Sequence, residues 1–249
     1  MTDLTARWPL GLNRKTWPDR VLTLVMVLFA LVFIDAWASQ TLQAWPDVWR
    51  APFAFITDFG LSDWILIPSV LVFALAAIAL RLPLGRYRRA IYELGLVAAF
   101  IFIGVGLPGL VSNLLKRVIG RARPEHFLDT GTFQFQHIVN AWDFQSFPSG
   151  HSTTAMATAL VIGFMVPRLF RPILVIAVMT GLSRVVIGMH YPTDVVSGFA
   201  LGLIGAYAVR NVFARRRWLF ANRADGSVRF RGVPNLTRLL RRWSYRAKV

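Results

Sequence analysis

Apolar residues dominate six stretches of the chain, at 21–38, 64–80, 94–115, 149–166, 173–189 and 194–213, with arginines, lysines or turn residues between them. A helix needs roughly 17 to 25 mostly apolar residues to cross a bilayer, and these stretches reach or approach that length. The pattern predicts an all-α polytopic membrane protein with six transmembrane helices. Gly104, Gly106, Pro108 and Gly109 fall inside the third stretch, where neighbouring helices tolerate them and a bend or close packing follows. The apolar run after the first twenty residues carries no small-residue cleavage site, so a retained helix is expected there, not a removed signal peptide. The aromatic stretch with Trp45, Trp49, Phe53, Phe55 and Phe59 reads as a segment lying along the membrane surface.

Orientation follows from the basic residues in the connections. Residues 7–20, 81–89, 168–171 and the tail after 210 are arginine-rich, and with six spans all four fall on one side, which makes both termini cytoplasmic. The tail, from about 214 to 249, is expected to be a solvated basic anchor on a single membrane-embedded domain covering residues 1–249. The other side receives the connection at 39–63, the loop at 116–147 and the turn at 190–193. Lys116, Arg117, Arg121 and Arg123 break the charge rule on that side, and charges kept against the insertion bias call for a function. Arg117 and Arg121 are expected at the membrane interface. Asp35 and Glu93, near the ends of two spans, are given the same placement.

Composition agrees with a bilayer as solvent. Hydrophobic residues make up 55% of the chain and charged residues only 16%, against about 25% charged in soluble proteins. The net charge of +16 would suggest nucleic acid in a soluble chain, but here the cations flank apolar runs and suit anionic lipid headgroups instead. With no cysteine there is no disulfide, thiolate chemistry or Cys-ligated zinc.

Three short strings on the expected outer side assemble one chemistry. Pro148, Ser149, Gly150 and His151 precede Ser152, Thr153 and an apolar helix, so they sit at a helix N-terminus whose free N–H groups and positive dipole bind phosphate. Gly150 admits close backbone approach, and Ser149 either caps the helix or donates to phosphate. Lys116 and Arg123 are separated by six residues, and Pro124 turns the chain out of the helix at about Arg123. Arg123 and Arg184 offer forked hydrogen bonds to phosphate oxygens, and Lys116 a compact point charge. His190 and Asp194 stand four apart, one helical turn, with Pro192 suited to the first turn of the last span. Asp194 would then hold Nδ1 of His190 and free Nε2 to attack phosphorus, giving a phosphohistidine, while His151 protonates the leaving oxygen and later deprotonates water. No Asp, Glu and His cluster at metal-ligand spacing accompanies the strings, so neither metal nor cofactor is expected. His126 and His137 lack comparable partners and are placed toward solvent or at the substrate rim.

These strings match K-x6-R-P, P-S-G-H and S-R-x5-H-x3-D, and over residues 116–194 the chain resembles the type 2 phosphatidic acid phosphatase family. The resemblance implies six spans with the active site at the external membrane face. It also implies His190 as nucleophile, His151 as acid and base, Asp194 as orienter, and Lys116, Arg123, Ser149, Gly150 and Arg184 as phosphate ligands, with Ser183 supporting or touching phosphate. The implied activity is metal-independent hydrolysis of a phosphomonoester or diphosphate on a membrane lipid: phosphatidic acid, phosphatidylglycerophosphate, undecaprenyl diphosphate or a lipid A phosphate. The enzyme would be integral to a bacterial inner or plasma membrane, with the site periplasmic or extracellular. Substrate choice is assigned to the groove between helices, with Trp142 and Phe144 near its mouth. Two alternatives share the residues: phosphotransfer to another lipid or sugar, and an anion transporter using the three cations. The transporter is disfavoured because the charges cluster at one face beside two histidines.

Overall fold

The computed structural model describes residues 3–138 and 141–246. Its long helices are α1 (Trp17–Gln43), α2 (Asp47–Thr57), α3 (Asp63–Ala79) and α4 (Arg88–Ile119). After a loop carrying only the single turn α5 (Phe127–Thr130) come α6 (Gly150–Met165), α7 (Pro167–Val186) and α8 (Pro192–Arg215). A hairpin of β1 (Phe220–Asn222) and β2 (Val228–Phe230) leads to α9 (Pro234–Arg246). Two short strands thus modify the all-α expectation. Asp225 and Gly226, with apolar Phe220 and Val228 on either side, are the turn chemistry that makes them.

Among the described residues, five helical segments are long and apolar enough to cross a membrane: Trp17–Leu42, Asp47–Ala79, Gly85–Ile119, Pro167–Val186 and Pro192–Arg215. The second joins α2 to α3 through a short 3-10 turn at Asp58–Gly60. The expected span at 149–166 forms as α6, which has 16 residues and at 1.5 Å per residue is about 24 Å long. Most of α6 is buried. It is the inner helix, enclosed by α4, α7 and α8, whereas α1 exposes Leu22, Met26, Phe29 and Phe33.

Small residues let these helices approach. In a bilayer the apolar driving force between helices is weak and close van der Waals packing takes its place. A Cβ on Gly202 would stand 2.5 Å from the Thr153 carbonyl oxygen, and one on Gly198 would run into the Ser149 carbonyl, so α8 lies directly on the first turns of α6. Phe100, Leu160, Val161, Phe164, Tyr207 and Phe213 fill the space toward the other end.

That other end is closed by segments from the N-terminal and C-terminal regions. Phe220 and Val228 of the hairpin are buried in the main core, and Leu4 and Trp8 pack against it. Arg210, fully buried, donates to the carbonyls of Leu4 (2.5 Å), Ala6 (2.6 Å) and Arg7 (3.1 Å). The first part of the tail is thus docked on the core through Leu219, Phe220 and Val228, while Arg215, Arg216 and Arg217 stay exposed. Glu93, near the start of α4, joins the same end. Its carboxylate accepts from Asn235 Nδ2 (2.6 Å) and the Leu236 N–H (2.8 Å), capping α9.

Candidate active site

Four chain segments converge at the end of the bundle away from the hairpin. The first is the end of α4, which stops at Ile119, four residues before the expected exit at Arg123. Gly120 takes the left-handed conformation (φ 64°) that closes a helix, and the Gln136 carbonyl occupies the place a side chain would need there. Lys116, in the last turn of α4, ends with Nζ 3.2 Å from the position of a Cβ on Gly150. A side chain at Gly150 would displace the ammonium group.

Ser149 is the N-cap of α6: its Oγ accepts from Ser152 Oγ (2.9 Å) and sits 3.4 Å from the Ser152 backbone nitrogen. Fully buried, it serves the helix start directly. Its own backbone N–H donates to the Asp194 carbonyl (3.0 Å), which ties the start of α6 to the start of α8. His151, one residue into α6, lies under the turn after α2. A Cβ on Gly60 would meet the His151 Cβ at 2.7 Å, so that turn covers the imidazole because it has no side chain there.

His190 and Asp194 straddle the start of α8 as their spacing predicts, both buried. His190 Nδ1 is 3.6 Å from Asp194 Oδ2, longer than a hydrogen bond but facing it across one helical turn. Asp194 Oδ2 also accepts from Ser146 Oγ (2.5 Å) and the Tyr191 N–H (2.9 Å). Burial pushes the His190 imidazole down to about 3; Lys116 and Arg184 act in the same direction, and the Asp194 carboxylate opposes them. A neutral imidazole keeps its lone pair available at neutral pH.

The two arginines of the motifs are held differently. Arg123 donates through Nε to the Trp142 carbonyl (3.0 Å) and through Nη1 to the Met189 carbonyl (3.2 Å), and lies 3.9 Å from the centre of the Trp142 ring. Arg184 donates through Nη1 to Thr57 Oγ1 (2.9 Å), while its buried Nε has no protein partner. Ser183 is fully buried and donates to the Thr180 carbonyl within its own helix (2.7 Å). Between α3, α4 and α6 a cleft of about 410 Å³ opens onto Lys116, Gly150 and His151, with Leu66, Val105 and Leu110 along its apolar wall.

Several expectations are corrected here. Arg121 and Asp35 do not face the surroundings as surface charges: they are 5% and 0% exposed and joined to each other (3.0 Å). Arg121 also pairs with Asp194 Oδ1 at 2.6 Å. The signal that marks Asp35 is a carboxylate within an apolar run, and its partner is 86 residues away in sequence. Phe144 is buried beneath His126 and does not line the cleft. His126 itself pairs with Asp143 (3.1 Å), while His137 is exposed. Among the described residues no group of three or more His, Asp or Glu side chains gathers as metal ligands do.

Residues 94–218 match the PAP2 superfamily, a span that takes in the site residues named above except Asp35, Thr57, Gly60 and Leu66. The lipid A 1-phosphatase of Rhizobium johnstonii is 38% identical over 69% of this chain and 70% of its own length. Phosphatidylglycerophosphatase B of Bacillus subtilis is 37% identical over 47% of this chain and 56% of its own. A crystal structure of a transmembrane PAP2-type phosphatidylglycerolphosphate phosphatase from Bacillus subtilis aligns over 78% of this chain and 96% of that one, with a TM-score of 0.49 and 23% identity. With half the chain under the family model and its three motifs gathered at one end of the bundle, the protein belongs to the PAP2 superfamily, among relatives that are named lipid phosphatases.

Proposed function

We propose that the chain hydrolyses a phosphomonoester or diphosphate on a membrane lipid, without metal, through a phosphohistidine at His190. The observation that carries this reading is the direct link between motifs, with Ser149 N–H bonded to the Asp194 carbonyl and Lys116 Nζ lying over Gly150. Phosphate would sit on the first N–H groups of α6 among Lys116, Arg123 and Arg184, with Ser149 and Ser183 shaping the two helices that carry them. His190 Nε2 attacks phosphorus, the bond from phosphorus to the lipid oxygen breaks, and His151 gives that oxygen its proton. His151 then takes a proton from water, the hydroxide oxygen bonds to phosphorus, and the N–P bond breaks to release inorganic phosphate and neutral His190. Three cations facing the equatorial oxygens supply the electrostatic stabilisation.

The membrane arrangement belongs to the same proposal. α6 is the fourth of six crossings, sheathed by protein, and the histidine end faces the periplasm or exterior, with the termini cytoplasmic. The cleft between α3 and α4 supports a lipid substrate, since its apolar wall continues from the phosphate-binding mouth into the bundle side. Similarity to a lipid A 1-phosphatase over 69% of the chain makes a lipid A phosphate the first candidate headgroup. Phosphate release in detergent with EDTA, from lipid A, phosphatidylglycerophosphate, phosphatidic acid and undecaprenyl diphosphate, tests it. Turnover that requires added metal, or product in which the phosphoryl group passes to another lipid with no free phosphate, would contradict the hydrolytic reading.

A further inference from the structure

Arg121 and Asp35 form a buried charged pair beside the proposed nucleophile, and neither belongs to the three motifs. A buried ion pair contributes little net stability over apolar packing, so its position needs a reason beyond holding the fold. Arg121 has five N–H donors, and all five are used. Nη1 donates to Asp194 Oδ1 (2.6 Å) and Thr193 Oγ1 (2.7 Å), Nη2 to Asp35 Oδ2 (3.0 Å) and the Thr132 carbonyl (3.1 Å), and Nε to that same carbonyl (3.2 Å). Its face lies 4.1 Å from the centre of the Tyr191 ring. No donor is left for a phosphate oxygen, whereas Arg184 keeps a buried Nε without a protein partner.

Asp35 completes the arrangement from α1. Its Oδ1 accepts the Thr193 backbone N–H (3.0 Å) and its Oδ2 the Thr193 hydroxyl (2.6 Å), so it grips the residue directly before Asp194. It also balances Arg121. Without Asp35, the guanidinium would draw the negative charge of Asp194 toward Oδ1 and away from the imidazole. Without Arg121, two buried carboxylates would be left joined through Thr193, and one of them would take up a proton.

The geometry points to Arg121 and Asp35 as the positioning pair of this enzyme: together they fix Asp194 and the 190–193 turn so that Asp194 Oδ2 faces His190 Nδ1, and neither touches substrate. The inference rests on the phosphohistidine reading. It assigns α1, a helix outside the family match, a direct part in aligning the nucleophile.

The test measures kcat, KM and thermal unfolding in detergent for wild type, His190→Ala, Arg121→Met, Arg121→Lys and the double variant Arg121→Met with Asp35→Asn. Arg121→Met should lower kcat about 100-fold, the scale of a small misplacement of a reacting group, with KM within about threefold. Arg121→Lys, one charge that reaches one carboxylate, should recover about tenfold of that loss. The double variant removes one of the two buried carboxylates that lose Arg121, so its unfolding temperature should rise above that of Arg121→Met while kcat stays low. The inference is overturned if kcat returns together with stability in the double variant, if Arg121→Met raises KM at unchanged kcat as a phosphate ligand would, or if Arg121→Met matches wild type. Undiminished turnover in His190→Ala would sink the hydrolytic reading and this inference with it. Loss in His190→Ala beside wild-type kcat in Arg121→Met sinks the inference alone.

Discussion

Arg121 and Arg210 are both withdrawn from solvent at opposite ends of the bundle, and their partners differ in kind. Arg210 is 0% exposed, gives its hydrogen bonds to the carbonyls of Leu4, Ala6 and Arg7 and to Asn211, and is flanked by Phe164 and Tyr207, each ring centre 4.5 Å away. Arg121 is 5% exposed and gives its hydrogen bonds to two carboxylates, a hydroxyl and one carbonyl. Backbone carbonyls are neutral and immobile, so Arg210 serves as a clasp that docks the N-terminal segment onto α8. Carboxylates carry charge that a neighbouring imidazole can feel, so in the proposed mechanism the cluster at the other end aligns the nucleophile as well as holding the chain.

That contrast gives the order of expected effects. Asp194→Asn keeps the shape but removes the charge facing His190, and kcat should fall about 10,000-fold, as for the orienting carboxylate of a catalytic triad. A loss under tenfold in steady-state phosphate release would deny Asp194 that role. Acid should expose the same end. His190 sits at about 3 in the folded chain, below its ordinary value of about 6.5, so unfolding takes up a proton between those values. The stability tied to its neutral form is complete above about pH 6.5 and is lost as pH falls toward 3. The unfolding temperature should therefore drop less between pH 7 and pH 4 in His190→Asn than in wild type, and equal drops would contradict the burial argument.

At the opposite end the effects should be on stability and not on turnover. Arg210→Met leaves three carbonyls without their donor and should cost about 1–3 kcal/mol in thermal unfolding. Its kcat should stay within about twofold of wild type, since distant sites act independently. Glu93→Gln weakens only the anionic cap of α9 and should cost about 0.5–1 kcal/mol, again with kcat unchanged. A large rate loss in either variant would break the division between the two ends.

The same division decided what was legible in the sequence. Lys116, Arg123, the 148–151 string, Arg184, His190 and Asp194 could be read because spacing along a helix, a proline and a cap fix each string locally. The stop of α4 carried its own signal in Gly120, outweighed in the reading by Pro124 three residues beyond Arg121. Arg121 stood out in the sequence only as a cation kept against the insertion bias; the role proposed for it comes from Asp35, which sits in the apolar run of α1 and meets it only in three dimensions. The hairpin was hidden by composition: arginines dominate the tail, yet it is Phe220 and Val228 that bury it. The length of α6 shows the same limit, since a protein-sheathed helix need not match the lipid thickness that sets the lengths of exposed ones.

The phosphoryl-enzyme is the most direct measure of the central claim. Purified protein mixed with a lipid phosphomonoester, quenched within milliseconds into alkali to preserve a phosphoramidate, and mapped by peptide mass spectrometry should carry one phosphoryl group on His190 and none in Asp194→Asn. A phosphoryl group on His151 or any other residue, or turnover with His190 never labelled, would contradict the account.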